Sequence, residues 1–137
     1  MQAMVAAHSN DDPRKLREML DKAASLAVDH SLRSVVVGLA AEEGDLLFPE
    51  LVAYVESALR MDDAIFRMTR ERAVLLLSDV DREGAEEVVG RLCSGFNDRF
   101  ARLREPEVGF SFFEIAPNEG EISVKRILPM LFPSKLH

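Results

Sequence analysis

An arginine and an aspartate three positions apart, Arg60 and Asp63, are the residues of this sequence best suited to binding chemistry. The guanidinium is a planar fork that can form two parallel hydrogen bonds with a phosphate or another planar acceptor, and the carboxylate accepts from N–H donors. This Arg-x-x-Asp spacing occurs once in the chain. The alternative interpretation is an ordinary ion pair at a helix end, which would contribute only about 0.5 kcal/mol.

Residues that could perform catalysis or bind a metal are few and scattered. The sequence identifies no basic residue that would activate the Cys93 thiol, and the place of Cys93 beside Leu92 in a predicted helix favours a core or boundary position. Glu42, Glu43 and Asp45 could bind a cation, but a solvated loop or the start of a helix is the favoured interpretation. The histidines, which are not spaced as metal ligands, are His8, His30 and His137. We therefore expect no catalytic residue, metal site or cofactor.

Length and charge exclude several classes of protein. The 137 residues allow one domain, and 24 acidic against 17 basic side chains give a formal net charge of −7. Such an acidic surface disfavours nucleic acids and anionic membranes, because these polyanions need a basic face. One cysteine cannot form an internal disulfide, and no apolar run approaches the roughly 20 residues that span a bilayer. Residues 1–10 also lack the pattern of a secretion signal, so we expect a cytoplasmic domain without membrane insertion.

Helical spacing of apolar residues, together with short β-branched, apolar or aromatic runs, predicts elements in the order α-β-α-β-β-α-β-α. The central βαββαβ run is the split-βαβ pattern, which predicts an α+β, ferredoxin-like fold with an antiparallel central sheet and surrounding helices. Phe110 and Phe112 alternate onto one strand face, which favours sheet packing over stacking on bases. The predicted elements are a helix from residue 13, a strand at 35–37, a loop at 38–45, a helix at 46–60, a hairpin of 64–67 and 73–77 joined by 68–72, a helix at 82–100, a strand at 108–115, a turn at 117–120 and a helix at 122–132.

The second predicted helix and the strand after it carry a series of motifs in one register. Gly44 and Asp45 open the helix, Arg60-x-x-Asp63 closes it, and the strand carries Arg67. These motifs resemble the GGDEF domain, the fold of diguanylate cyclases, and the resemblance extends over residues 12–132. It implies a nucleotide-cyclase-like α+β fold and a role in cyclic di-GMP signalling in a bacterial cytoplasm.

The residues that support catalysis in that family are missing at the matching positions. The residues at the place of its Gly-Gly-Asp/Glu-Glu-Phe signature are Thr69, Arg70, Glu71, Arg72 and Ala73. Threonine and arginine side chains obstruct the close approach of a nucleotide that glycines permit, and Arg72 puts positive charge where the family holds a cation. Gly38 matches the other metal-binding Asp of the family, and the segment that reads the guanine base is absent before Gly44. The resemblance therefore implies an inactive, degenerate cyclase domain.

The retained motif implies a ligand site. In active family members Arg-x-x-Asp binds cyclic di-GMP as an inhibitory product, so the resemblance assigns this candidate ligand to Arg60 and Asp63. A further arginine on the later helix often completes the family's site, and Arg91 is the candidate here. The alternative is a scaffold that binds a signalling protein, or a second copy of the chain, without any nucleotide. We expect one GGDEF-like domain at residues 12–133, with a flexible N-terminus at 1–11 and a C-terminal tail at 134–137.

Overall fold

The computed structural model describes residues 10–99, 108–117 and 122–133, and its elements follow the predicted order. The helices are α1 (Pro13–His30), α2 (Phe48–Ser57), α3 (Arg82–Arg99) and α4 (Val124–Leu131). The strands are β1 (Ser34–Ala41), β2 (Ala64–Thr69), β3 (Arg72–Ser78) and β4 (Val108–Ile115). They form one sheet in the order β2-β3-β1-β4 with antiparallel pairing throughout. The predicted α+β fold with an antiparallel central sheet is confirmed.

Each face of the sheet carries its own hydrophobic core. Successive side chains of a strand point to opposite faces, so Val35 and Val37 of β1 pack with α2 and α3, whereas Val36 packs with α1 and α4. β1 is covered on both faces, which explains why consecutive residues from Val35 onward are apolar or glycine and do not alternate with polar ones. Consequently α1 and α3 lie on opposite faces of the sheet.

Aspartates at the starts of three helices accept hydrogen bonds from their first backbone N–H groups. Asp12 accepts from the backbone N of Arg14 at 2.9 Å, and Pro13 follows as the first residue of α1. Asp45 Oδ1 accepts from the backbone N of Leu47 at 2.8 Å, just before α2. At the start of α3, Asp81 Oδ1 accepts from a backbone N–H in the first turn at 2.8 Å. The interpretation of Asp45 as a helix-start residue is confirmed.

Two predicted boundaries near the sheet were wrong. Gly38 lies inside β1, opposite Val74 of β3 and Ser111 of β4, whereas the sequence assigned it to a loop. Pairing with strands on both sides extends β1 beyond its β-branched run, which local propensity does not reveal. The hairpin connection is also shorter than 68–72, because only Arg70 and Glu71 lie between β2 and β3.

The buried face of α2 starts at a large core residue, Phe48. Phe48 is 1% exposed, whereas Leu47, which lies inside the helix predicted at 46–60, is only half-buried. The helix begins later, at Phe48, and this changes which positions of its first turn face the sheet.

Some predictions lie outside the described residues: those for 1–9, 100, 118–120 and 134–137. Asp11, which the sequence placed in the N-terminal segment, is described: its backbone N donates to the Arg67 carbonyl at 2.9 Å. Among the described helices, none combines the length and the apolar character needed to cross a membrane.

Candidate functional site

The Arg60–Asp63 motif forms the turn between α2 and β2. α2 ends at Ser57, and Asp63 directly precedes the first residue of β2. The backbone N of Asp63 donates to the Arg60 carbonyl at 3.1 Å, which closes a four-residue turn. The turn brings both side chains against Ser78, the last residue of β3.

The Asp63 carboxylate is almost fully buried and accepts four hydrogen bonds. Its side chain is 4% exposed. Oδ2 accepts from the backbone N and from the Nε of Arg60, both at 3.1 Å. Oδ1 accepts from Arg60 Nη2 at 3.2 Å and from the backbone N of Ser78 at 3.0 Å. Because a carboxylate offers about four lone-pair positions, all of them are used within the protein. Asp63 therefore orients Arg60 and ties it to the end of β3.

Arg60 has one edge of its guanidinium held and the other edge open. Nη2 also donates to the Ser78 carbonyl, yet the side chain remains 59% exposed. The hydrogen bonds to Asp63 raise the pKa of Arg60, and the negative charges of Asp79 and Asp62 act in the same direction. Among the residues that the structure describes, none provides an acceptor for Nη1. The guanidinium thus keeps a preoriented pair of N–H donors for an external acceptor.

A cavity of about 500 Å³ lies beside this arginine. Its volume is within the range of about 300–1,000 Å³ that is typical of small-molecule sites. One wall is formed by α1 and by Leu32, two positions after its end. The other wall is formed by the Arg60–Asp63 turn and the end of β3. The lining residues are Lys22, Leu26, Leu32, Arg60, Met61, Asp62, Ser78 and Asp79.

Arg91 is not among the residues that line this cavity. It lies exposed on α3, whose buried residues Ala85, Val89 and Phe96 pack on the sheet face opposite to α1. Arg67 of β2 points elsewhere too, since its Nη2 donates to Glu56 of α2 at 2.7 Å.

The tip of the β2–β3 hairpin is occupied by contacts within the chain. Glu71 Oε2 accepts from the backbone N of Gly44 at 3.2 Å, and its carbonyl accepts from the backbone N of Ala41 at 2.8 Å. The Arg72 guanidinium lies 5.2 Å from the centroid of the Phe132 ring, which is the geometry of a cation–π contact. The hairpin is therefore tied to the loop after β1 and to the end of α4.

α4 closes the sheet over Gly38. A Cβ atom at this position would lie 2.8 Å from Leu131 Cβ and 3.1 Å from the Leu131 carbonyl oxygen. Real Cβ atoms do not approach other atoms so closely, so no side chain fits here without a shift of α4.

No family model matches the sequence, and no curated protein does either. Solved structures do match. PelD 158-CT from Pseudomonas aeruginosa PAO1 aligns with a TM-score of 0.66 and 21% identity over 82% of this chain. Diguanylate cyclase SiaD in complex with its activator SiaC, also from Pseudomonas aeruginosa, aligns with a TM-score of 0.66 and 20% identity over 82% of this chain. A microbial GGDEF domain studied with cyclic di-GMP aligns with a TM-score of 0.66 and 13% identity over 86% of this chain.

The chain has a GGDEF-like fold. It spans 42% of the PelD chain, 50% of the SiaD chain and 78% of the microbial GGDEF domain, so it matches only part of the larger two. These matches confirm the GGDEF-like fold that the motifs around Arg60 and Asp63 implied.

The hairpin tip and the middle of β1 carry few acidic side chains. Glu71 is the one acid among residues 69–73, and it accepts from a backbone N–H of the neighbouring loop. Arg72 is cationic and stacks on Phe132, and Gly38 is buried beneath Leu131. Within residues 10–99, 108–117 and 122–133, no three His, Cys, Asp or Glu side chains come together as metal ligands would.

The remaining candidates from the sequence occupy structural positions. Cys93 is half-buried on α3 and packs against the core shared with α2, as predicted. His30 is exposed in the last turn of α1. Phe110 and Phe112 pack on that same core from β4, which confirms that they serve the sheet. Two residues that line the cavity beside Arg60, Lys22 and Ser78, could not be predicted from the sequence, because neither lies in a motif.

Proposed function

We propose that this chain is a catalytically inactive, GGDEF-like regulatory domain that binds cyclic di-GMP through Arg60. The observation that carries the proposal is the state of the Arg60 guanidinium. Asp63 and Ser78 hold one edge of it, and its Nη1 group stays open where the residue lines a cavity of about 500 Å³. A positioned arginine binds phosphate oxygens or the O6 and N7 acceptors of guanine.

The proposal gives Asp63 a positioning role. The resemblance assigned the ligand to Asp63 as well as to Arg60, but the four acceptor positions of Asp63 are used inside the protein and its side chain is 4% exposed. Binding a ligand through Asp63 would require breaking charge-assisted hydrogen bonds worth about 1.5–3 kcal/mol each. Arg91 is left out of the proposed site, because it does not line the cavity beside Arg60.

The absence of cyclase activity is supported by the side chains at the signature positions. Phosphoryl transfer between nucleotides depends on positioning and on metal ions that neutralise phosphate charge. Arg72 carries positive charge at a position where the family has an acid, and Gly38 has no room for a carboxylate. Thr69 and Arg70 carry side chains where the family has glycines. We further propose that the domain occupies residues 12–133 and acts in a bacterial cytoplasm.

Calorimetric titration of the purified chain with cyclic di-GMP tests the binding. Arg60→Met keeps the apolar stem but removes the guanidinium, so its dissociation constant should rise about tenfold or more, as expected for the loss of a charge-assisted hydrogen bond. Arg70→Met is the matched control, since Arg70 is exposed at the hairpin tip and away from the cavity. Absence of binding by the wild-type chain at high micromolar ligand would overturn the proposal.

A second assay addresses catalysis. The purified chain is incubated with GTP and Mg²⁺, and the products are separated by chromatography. We expect no cyclic di-GMP and no linear dinucleotide above a protein-free control. Formation of either product in proportion to protein concentration would refute the inactive assignment.

A nucleotide-independent interaction is the second candidate function. Leu46 is 74% exposed and Met61 is 96% exposed, and apolar side chains left in water are a common feature of interaction surfaces. The aligned SiaD structure is a complex with a protein activator. A pull-down that recovers one protein without nucleotide, and loses it with Leu46→Ser or Met61→Ser, would favour this function. Light scattering across a concentration series tests the homodimer version.

A further inference from the structure

The cavity beside Arg60 has a second cationic side chain, contributed by α1. Lys22 lines it from the opposite wall, next to Leu26. Lys22 is exposed, and no ion pair to it is formed within the described residues. Lys22 and Arg60 line opposite walls of one cavity, so both cations would attract an anionic group placed between them.

The rest of the lining is complementary to a guanine nucleotide. Leu26, Leu32 and Met61 provide apolar surface for a base. Asp62 and Asp79 are exposed carboxylates, which can accept from the exocyclic amino group of guanine. The lining holds two cations and two carboxylates, and Arg60 is also ion-paired with the buried Asp63, so Lys22 is the one cation of the lining without an ion pair among the described residues. Its removal would make the wall more negative and weaken its attraction for phosphate.

We propose that Lys22 is the second cationic contact of bound cyclic di-GMP. Lys22 reaches one of the two phosphates, while Arg60 binds the other phosphate or the edge of a guanine. This inference rests on the proposed function, since it names a further residue of the same site. It places that second cation on α1, on the sheet face opposite to α3 and Arg91.

Calorimetric titration of the full chain with cyclic di-GMP is compared across three lysine or arginine variants. Lys22→Met retains the apolar stem and is expected to raise the dissociation constant about tenfold. Lys125→Met is the matched control, because Lys125 is an exposed lysine that lines a different cavity, between α1 and α4. Arg91→Met tests the competing position on α3. Both are expected to bind within twofold of the wild-type chain.

Salt dependence gives a readout that a purely structural role for Lys22 would not change. Salt screens the attraction between an exposed lysine and a phosphate, so wild-type affinity should fall as the salt concentration rises. Lys22→Met should show a shallower fall, and Lys125→Met the wild-type dependence. Thermal melting of each variant checks that the fold is intact.

The outcomes separate this inference from the proposed function. If the wild-type chain binds but Lys22→Met binds equally well with unchanged salt dependence, the role of Lys22 is overturned and the function of Arg60 stands. A loss confined to Arg91→Met also overturns it, because the second cation would then lie on α3. If the wild-type chain does not bind cyclic di-GMP, both proposals fail.

Discussion

Replacement of Asp63 by asparagine should destabilise the fold far more than the same change at its neighbour Asp62. The amide keeps the shape of the side chain but offers one acceptor oxygen, whereas the carboxylate accepts four hydrogen bonds at 3.0–3.2 Å. The amide NH₂ would replace one carboxylate oxygen, so the two N–H donors that this oxygen accepts from would face another donor. The Asp62 side chain is exposed and makes no hydrogen bond within the described residues.

The size of the effect follows from burial. Hydrogen bonds to charged groups contribute about 1.5–3 kcal/mol each, and an unsatisfied buried donor costs about 1–3 kcal/mol. Asp63 is 4% exposed, but Arg60 is 59% exposed and can turn to water, which discounts its share. We therefore expect Asp63→Asn to lower the free energy of unfolding by about 3 kcal/mol. With an unfolding entropy of about 0.3 kcal/mol/K for 137 residues, Tm should fall by about 10 °C.

Differential scanning calorimetry of the wild-type chain, Asp63→Asn and Asp62→Asn measures these values. Asp62→Asn should change the free energy of unfolding by no more than about 0.5 kcal/mol, as is usual for exposed positions. Arg60→Met should fall between the two, because it leaves Asp63 with the backbone N–H groups of Arg60 and Ser78. Equal and small Tm shifts for both asparagine variants would refute the closed, buried geometry of the motif.

Three further predictions concern packing, catalysis and pH. Gly38→Ala should destabilise the fold by about 1–3 kcal/mol in urea unfolding, because its Cβ would meet α4 at 2.8 Å. The control Gly90→Ala, with open space around the new methyl group, should stabilise α3 by about 0.5–1 kcal/mol; a loss at both glycines would contradict this reasoning. Arg72→Glu should restore no product from GTP and Mg²⁺, because it leaves β1 without a carboxylate at Gly38, and product formation would count against the inactive assignment. The side-chain hydrogen bonds from Arg14 lower the pKa of Asp12, so this carboxylate stabilises the fold fully above its ordinary pKa, and the stabilisation is lost as pH falls through the lowered value. Asp12→Asn should therefore flatten the acid side of a plot of Tm against pH, and an unchanged slope would disprove the effect.

The fold was predictable because its local signals agree. Helical spacing of apolar residues and short apolar, β-branched or aromatic runs identified the helices and strands of the described residues in order, and the βαββαβ pattern predicted the antiparallel sheet. The lengths of β1 and α2 were less accurate. Gly38 has low strand propensity, but its pairing with both neighbouring strands holds it in β1. Which side of the first turn of α2 is buried depends on where that helix begins. Because it begins at Phe48, the side chain of Phe48 is buried and that of Leu47 is only half-buried.

The sequence by itself determined that Arg60 and Asp63 lie three positions apart after the second helix, and that residues 69–73 contain no glycine and a single acid, Glu71. Only the tertiary structure decided what the motif can do. Ser78, 15 positions after Asp63, supplies the backbone N–H that completes the carboxylate, and α1 brings Lys22 to the same cavity. Sequence periodicity reports which face of an element is apolar, but the partners of a polar side chain depend on how distant segments pack. That packing made Asp63 a structural acceptor and left Arg60 open to a ligand.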